Sequence, residues 1–347
     1  MSTQAPISLS RRTMLAGAAG ISLTAALGPT FASAAATKAS LALDWYPNAD
    51  HAGLMLAQAR GYFAAAGIDL TIYTPSDATT VLQTVGAGKD DFGISYQTDV
   101  LLARAAGVPV VSIAALVQHP LIVVMSSADK NIKRPHDLIG KAVGYPGIAS
   151  QEAFLATMLE NDGGKLSDVE LVNVDFNLIP AVLSGQVDAV MGAFRNVEVI
   201  IAEQQGHAVN AMPVEAWGVP DYYELVLVAS EATIAKRPEL VAGFLTAVQH
   251  GFADAIADPA AALDALVTAS PEIDKTVAEA GIALLLPDWR GATPVFGVQT
   301  ATRWSAYASW MTSRGLIPAS LDASQAFTTN LLPAPVAAGS PIATPAT

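Results

Sequence analysis

The sequence predicts an α/β protein folded as two lobes, and three observations predict it. The chain has 347 residues, more than one domain ordinarily holds. Its composition, 52% hydrophobic and 14% charged, is ample for a core and far from that of a disordered chain. From Lys38 onward, short apolar runs alternate with helical segments, the pattern of a mainly parallel sheet with crossover helices.

The runs that read as strands are Ala39–Asp44, Ile68–Thr74, Asp91–Ser95, Val108–Ala115, Leu121–Ser126, Lys141–Tyr145, Val169–Val174, Val187–Ala193, His207–Pro213 and Glu224–Ser230. Between them, segments such as His51–Ala66 and Gln151–Asn161 read as helices, with Gly67 and Gly163-Gly164 as left-handed stops. Beyond Ala232 the pattern turns helical, over Pro238–Ala257, Pro259–Thr268, Pro271–Leu286 and Thr300–Ser313. The first three open on proline, whose missing N–H costs nothing in a first turn. From Pro333 to Thr347 the chain is rich in Pro and Ala without periodicity and reads as a disordered tail. Linker-like composition at Ser126–Arg134 and Trp217–Tyr223 sets two crossings between lobes. One lobe then holds residues 38–125 and 220–332, the other residues 126–219. Paired crossings form a hinge suited to closure on a ligand.

The N-terminus reads as an address. Arg11-Arg12 precede an apolar run from Ala16 to Leu27, then Gly28-Pro29 and the small-residue site Ala32-Ser33-Ala34. That order matches an export signal cleaved near Ala34, and the twin arginines favour the Tat translocase. The run is too short, and too rich in Ala and Gly, for a transmembrane anchor. There is no cysteine, which excludes disulfides, thiolate metal sites, cysteine nucleophiles and a lipid-modified cysteine, so the expected location is the periplasm without a lipid anchor. The five histidines include no i,i+4 pair, so no metal is expected. A net charge of −13 without clustered Lys or Arg excludes nucleic acid as a partner.

In open α/β sheets, ligands sit beyond the carboxyl ends of the strands. Several such ends here carry aromatics beside hydrogen-bonding groups. The first supplies Trp45, Asn48 and His51, the third Tyr96, and the run after Val108 supplies His119. The strand at Lys141 leads into Tyr145, Gly147 and Ser150, with Ser150 placed to cap the following helix. The strand at Val187 leads into Phe194, Asn196 and Glu198, and Tyr223 and Glu224 stand at the second crossing. These thirteen are the candidate ligand-binding residues, with no catalytic residue, metal or cofactor among the expectations. Their convergence suits a flat ligand with polar edges, its faces stacked on rings and its N–H groups held by carboxylates. The glycine loop 144–150 lacks both G-x-G-x-x-G and a P-loop lysine, which excludes a nucleotide site of either kind.

Asp44-Trp45-Tyr46-Pro47-Asn48-Ala49-Asp50-His51, with Ile94-Ser95-Tyr96-Gln97, Ala114–Leu121, Gly144-Tyr145-Pro146-Gly147-Ile148 and Asn173–Leu178, resembles the periplasmic binding proteins of the ThiY type, which feed thiamine-precursor pyrimidines to ABC importers. The resemblance covers most of residues 40 to 230. It implies a periplasmic-binding-protein-like fold of type II with a double-crossover hinge. It implies as ligand a formylated aminopyrimidine or hydroxymethylpyrimidine, and an ABC permease as partner. Where many relatives carry Tyr-Trp, this chain has Phe194-Arg195, which keeps riboflavin, a phosphorylated pyrimidine or a sulfonate open as ligand. The same fold family includes a pyrimidine synthase that consumes its own histidine, and His51 matches that position. This chain lacks the synthase's cysteine-rich iron motif, so a receptor is expected and not an enzyme.

Overall fold

The computed structural model describes residues 36–290 and 295–342, so the proposed signal at 1–34 and the last five residues of the tail lie outside the described residues. Among the described residues ten strands form, at β1 (Thr37–Ala42), β2 (Ile68–Tyr73), β3 (Phe92–Ser95), β4 (Val110–Val117), β5 (Ile122–Ser127), β6 (Ala142–Tyr145), β7 (Glu170–Asn173), β8 (Ala189–Phe194), β9 (Val209–Pro213) and β10 (Leu225–Ser230). The helices are α1 (Ala52–Ala59), α2 (Tyr62–Ala65), α3 (Val81–Gly86), α4 (Gln97–Ala105), α5 (Ala149–Asn161), α6 (Leu178–Leu183), α7 (Glu198–Gln204), α8 (Glu231–Lys236), α9 (Pro238–Ala257), α10 (Pro259–Ala269), α11 (Lys275–Arg290) and α12 (Ala301–Ser313).

The strands make two five-stranded sheets, β2-β1-β3-β10-β4 in lobe 1 and β7-β6-β8-β5-β9 in lobe 2. The expected mainly parallel order holds for four strands of each sheet, and the fifth runs against them. β10 runs antiparallel to β3 and β4, and β5 antiparallel to β8 and β9. The cause is the crossing itself, since a strand arriving from the other lobe enters its sheet from the opposite end. Because β5 belongs to lobe 2, the first crossing lies at Gln118–Leu121, ahead of the 126–134 expected from composition. The second lies between the turn at Val214–Trp217 and β10.

Lobe 1 packs α1 and α9–α11 over its sheet, with Leu41, Leu54, Phe92, Phe244 and Phe252 fully buried. Phe92 and Phe244 stack with ring centroids 3.8 Å apart. Truncating such a ring costs about 3–5 kcal/mol. α9 is long and apolar enough to span a membrane, yet most of it is buried inside this core. The helix expected over Pro271–Leu286 begins later, where Asp274 caps the amides of Thr276 and Val277, and it continues through Pro287 to Arg290. α12 packs on both lobes. Thr98 pairs with Tyr307 in lobe 1, while Trp310 donates to Thr157 and Arg314 pairs with Glu160 in lobe 2. The tail is not disordered through residue 342. The Gly339 amide donates to Asp254 Oδ1 at 2.6 Å, and Ile342 packs on the lobe 1 core.

Candidate functional site

The carboxyl ends of β1, β3, β6 and β8 face one another across the lobes and enclose a cavity of about 400 Å³. Lobe 1 contributes Asp44, Trp45 and Asn48 from the turn after β1, and Tyr96, Thr98 and Asp99 from the start of α4. Lobe 2 contributes Pro146, Ile148, Ser150, Gln151 and Phe154 around the start of α5, Phe176 after β7, and Gly192, Phe194 and Glu198 around the end of β8. Tyr222 and Glu224 close the floor where the chain re-enters lobe 1.

Local chemistry fixes the lobe 1 wall. Asn48 Oδ1 caps the short helical turn Ala49–His51 by accepting from the Asp50 amide at 2.8 Å. The Asn48 amide donates to His51 Nδ1 at 3.1 Å, which leaves the proton on Nε2 to donate to Asp44 Oδ1 at 2.9 Å. Asp44 Oδ2 accepts from Tyr96 Oη at 2.8 Å. Burial pushes the Tyr96 phenol well above its ordinary range, so it stays a neutral donor.

In the lobe 2 wall, Gly192 has φ of +101°, and a Cβ there would lie 2.1 Å from Gln151 Oε1. Glycine at 192 therefore makes room for the Gln151 amide. Glu198 accepts from the Phe194 amide at 2.8 Å, and burial raises its pKa. Glu224 accepts from the Leu121 amide at 2.6 Å and from Tyr222 Oη at 3.1 Å. Burial outweighs these bonds and raises its pKa to about 8. Burial likewise raises Asp50 to about 7.

Three contacts tie the lobes together around the cleft. Arg195 Nη2 donates to Asp288 Oδ2 at 2.7 Å, and Asn196 Nδ2 to Asp50 Oδ1 at 3.0 Å. At the mouth, Trp45 of lobe 1 meets Phe176 of lobe 2 with centroids 5.0 Å apart. Close approach needs Gly281, where a Cβ would stand 2.9 Å from the Asn196 carbonyl oxygen. A larger hollow of about 550 Å³ lies beyond this seam, between α7 and Glu272–Ala278. Tyr46 is its one aromatic, and it gathers no comparable set of ring faces and acceptors.

Of the thirteen candidates, Trp45, Asn48, Tyr96, Ser150, Phe194, Glu198 and Glu224 line the cleft. Ser150 sits inside the first turn of α5, whose N-cap is Ile148, and so caps nothing. The other six lie off the cleft wall. His51 is fully buried behind it as a strut for Asp44. Asn196 reaches Asp50 from outside it. Tyr145 packs against the core and is not part of the lining, while its neighbours Pro146 and Ile148 line the cleft, and Gly147, with φ of +78°, turns the chain beside Asn173. His119 is on the surface, paired with Asp221 at 2.9 Å beside the hinge. Tyr223 is buried, accepting from the Thr300 amide at 2.8 Å beneath the Arg303 guanidinium. Sequence reasoning missed Asp44, Asp99, Gln151, Phe154, Phe176 and Tyr222. Asp44 stands just past the end of β1, where the strand-end rule applied to carboxylates would have found it, and Asp99 lies in the first turn of α4.

The two lobes and the cleft between them are those of a periplasmic-binding-protein-like fold of type II. The crystal structure of the periplasmic aliphatic sulphonate binding protein SsuA from Escherichia coli superposes with a TM-score of 0.69 at 17% identity, over 84% of this chain and 97% of that one. The NMT1/THI5 like family profile matches residues 48–262. The chain is similar to the formylaminopyrimidine-binding protein of Halalkalibacterium halodurans, at 37% identity over 82% of this chain and 88% of the relative. It is also similar to the riboflavin-binding protein RibY of Chloroflexus aurantiacus, at 30% identity over 85% and 86% respectively. The chain belongs to the NMT1/THI5 like family.

Proposed function

We propose that the protein is an extracytoplasmic receptor that captures a thiamine-precursor pyrimidine, a formylated aminopyrimidine or hydroxymethylpyrimidine, and hands it to an ABC permease. The observation that carries the reading is the donor-acceptor balance of the cleft. Rings from both lobes, Trp45, Tyr96 and Phe194, border a wall of carboxylates, and no Lys, Arg or His among the described residues lines it. Such a wall accepts N–H groups and repels anions. A 4-aminopyrimidine offers flat faces and an exocyclic amine. A sulfonate or a phosphorylated pyrimidine offers negative oxygens. Arg195, the cation that kept anions open, is engaged with Asp288 and absent from the lining.

A flavin is the second reading, supported by the similarity to RibY and by a cavity of about 400 Å³. The dione edge of a flavin is richer in acceptors than in donors, so it matches this wall less well. A receptor is preferred to a synthase because His51, the residue matching the consumed histidine, is fully buried with both ring nitrogens engaged. Export through the Tat translocase, cleavage near Ala34 and the periplasmic location belong to the same proposal and rest on Arg11-Arg12 and the run that follows. Thermal-shift screening tests the ligand class. Hydroxymethylpyrimidine or its formylaminomethyl analogue should raise the melting temperature, and riboflavin, thiamine and alkylsulfonates should not. A shift with riboflavin or a sulfonate alone contradicts the reading.

A further inference from the structure

The cleft is rich in acceptors, and most of its donors are engaged within the protein. Tyr96 Oη donates to Asp44, Tyr222 Oη to Glu224, and Asn48 Nδ2 to the Tyr46 carbonyl at 3.2 Å. Thr98 shares a hydrogen bond with Tyr307. A pyrimidine, however, presents two ring nitrogens that only accept. Besides the hydroxyls of Ser95 and Ser150 and the exposed rings of Trp45 and Tyr46, the one lining side chain among the described residues with a free donor is Gln151. It stands in the first turn of α5 and is 7% exposed. A hydroxyl can accept as well as donate, so of these buried groups the amide nitrogen of Gln151 alone requires an acceptor.

The opposite strand is bent to receive this amide. β8 carries a bulge, where Ala193 pairs with Val123 and Met191 with Val124, and Gly192 between them has no cross-strand partner. The φ of Gly192 favours glycine, and a Cβ there would stand 2.1 Å from Gln151 Oε1. The bulge therefore takes the oxygen end of the amide, and Oε1 is sealed there without a hydrogen-bond partner. Nε2 has no partner in the protein and is not sealed, so it is the end that meets the cavity. Once the closed cleft has shed its water, a ligand that leaves this N–H bare binds more weakly than one that accepts from it. We propose that Gln151 is a specificity-determining residue whose Nε2 donates to a ring nitrogen of the bound aminopyrimidine, so that the receptor tells a diazine from a carbocycle of the same shape and charge. This rests on the pyrimidine reading above and adds recognition of the ring nitrogens to that of the amino group.

The test crosses two ligands with three proteins by calorimetry, above neutral pH where both ligands are uncharged. One is 4-amino-5-hydroxymethyl-2-methylpyrimidine. The other is 2-amino-4-methylbenzyl alcohol, which keeps the amino, hydroxymethyl and methyl groups and replaces both ring nitrogens by C–H. Wild type should bind the pyrimidine about tenfold tighter or better. Gln151→Met, which fills the same space without an N–H, should reduce that ratio by about fivefold or more. Gln151→Glu keeps the length and exchanges the donor for an acceptor. It should reduce the ratio as well, and it carries the comparison if the methionine protein does not fold. A ratio that the variants leave within about twofold of wild type overturns the proposal, because a residue that merely shapes the wall weakens both ligands alike. Equal binding of the two compounds by wild type overturns it too. If wild type binds neither compound, the pyrimidine reading itself falls. If it binds the pyrimidine and the ratio does not move, only the role of Gln151 falls.

Discussion

Replacing Arg195 with Met should weaken ligand binding although Arg195 does not line the cleft. The guanidinium bridges to Asp288 across the seam between lobes at 2.7 Å, with the carboxylate side chain 8% exposed and the arginine 28%. With charge centres about 4 Å apart and an effective dielectric near 20, the gross attraction is about 4 kcal/mol. Desolvation offsets much of it. Burial outweighs the arginine and keeps the Asp288 pKa above the usual carboxylate range. Stripping the partner from a fully buried pair costs about 3–5 kcal/mol, and the partial exposure of Arg195 brings the expectation to about 1–3 kcal/mol. In an open form both groups are hydrated, so the loss falls on the closed form alone. Since the ligand needs both walls, its apparent affinity should drop by roughly 5- to 150-fold. Adding Asp288→Asn should recover part of the loss, because it removes the stranded charge. Calorimetric titration reads the affinity, and small-angle scattering reads the closure. Affinity within about twofold of wild type, with unchanged scattering of the ligand-bound state, would refute the assignment of this pair as a closure contact.

Other perturbations follow from the same geometry. Asp50 and Glu224 have folded pKa values near 7 and 8, above their ordinary values of 3.8 and 4.5. The folded state therefore binds more protons between those limits, and the stability present below about pH 4 is lost as pH rises toward 8. The melting temperature of the ligand-free protein should fall from pH 5 to pH 8, and Glu224→Gln should flatten the fall. A curve that is flat or rises counts against the raised values. Trp45→Ala should weaken the pyrimidine about tenfold or more through lost stacking and burial. It should hardly move the ligand-free melting temperature, because Trp45 is 39% exposed. Gly192→Ala forces a side chain into φ of +101° and onto Gln151, which should cost about 1–3 kcal/mol of stability and part of the affinity. A Gly192→Ala protein that melts and binds like wild type would show that Gln151 relaxes freely.

All ten strands were legible in the sequence because each is a short β-branched or aliphatic run bounded by turn residues. Runs such as Val110–Val117 and Leu225–Ser230 are buried on both faces and stand out from composition alone. The directions of Ile122–Ser127 and Leu225–Ser230 were not legible, because they depend on which lobe each strand joins after the crossing. The site was half legible. Trp45, Tyr96 and Phe194 announce themselves at strand ends. His51 misled because residue type and position do not reveal direction, and its ring turns back to brace Asp44. Phe176 escaped because it follows Asp175, a non-glycine residue with φ of +49°, whose turn sets the ring across the cleft mouth from Trp45. The opposite charges of Arg195 and Asp288 are 93 positions apart and meet only when the lobes pack.

Calorimetric titration of the purified protein with formylaminopyrimidine, alongside riboflavin and an alkylsulfonate, tests the central claim most directly. The carboxylate wall and the paired rings predict one site per chain, with a dissociation constant in the micromolar range or tighter, about −8 kcal/mol or more favourable, for the pyrimidine and no heat of binding for the other two. Saturable binding of riboflavin or the sulfonate in the absence of pyrimidine binding would contradict the account.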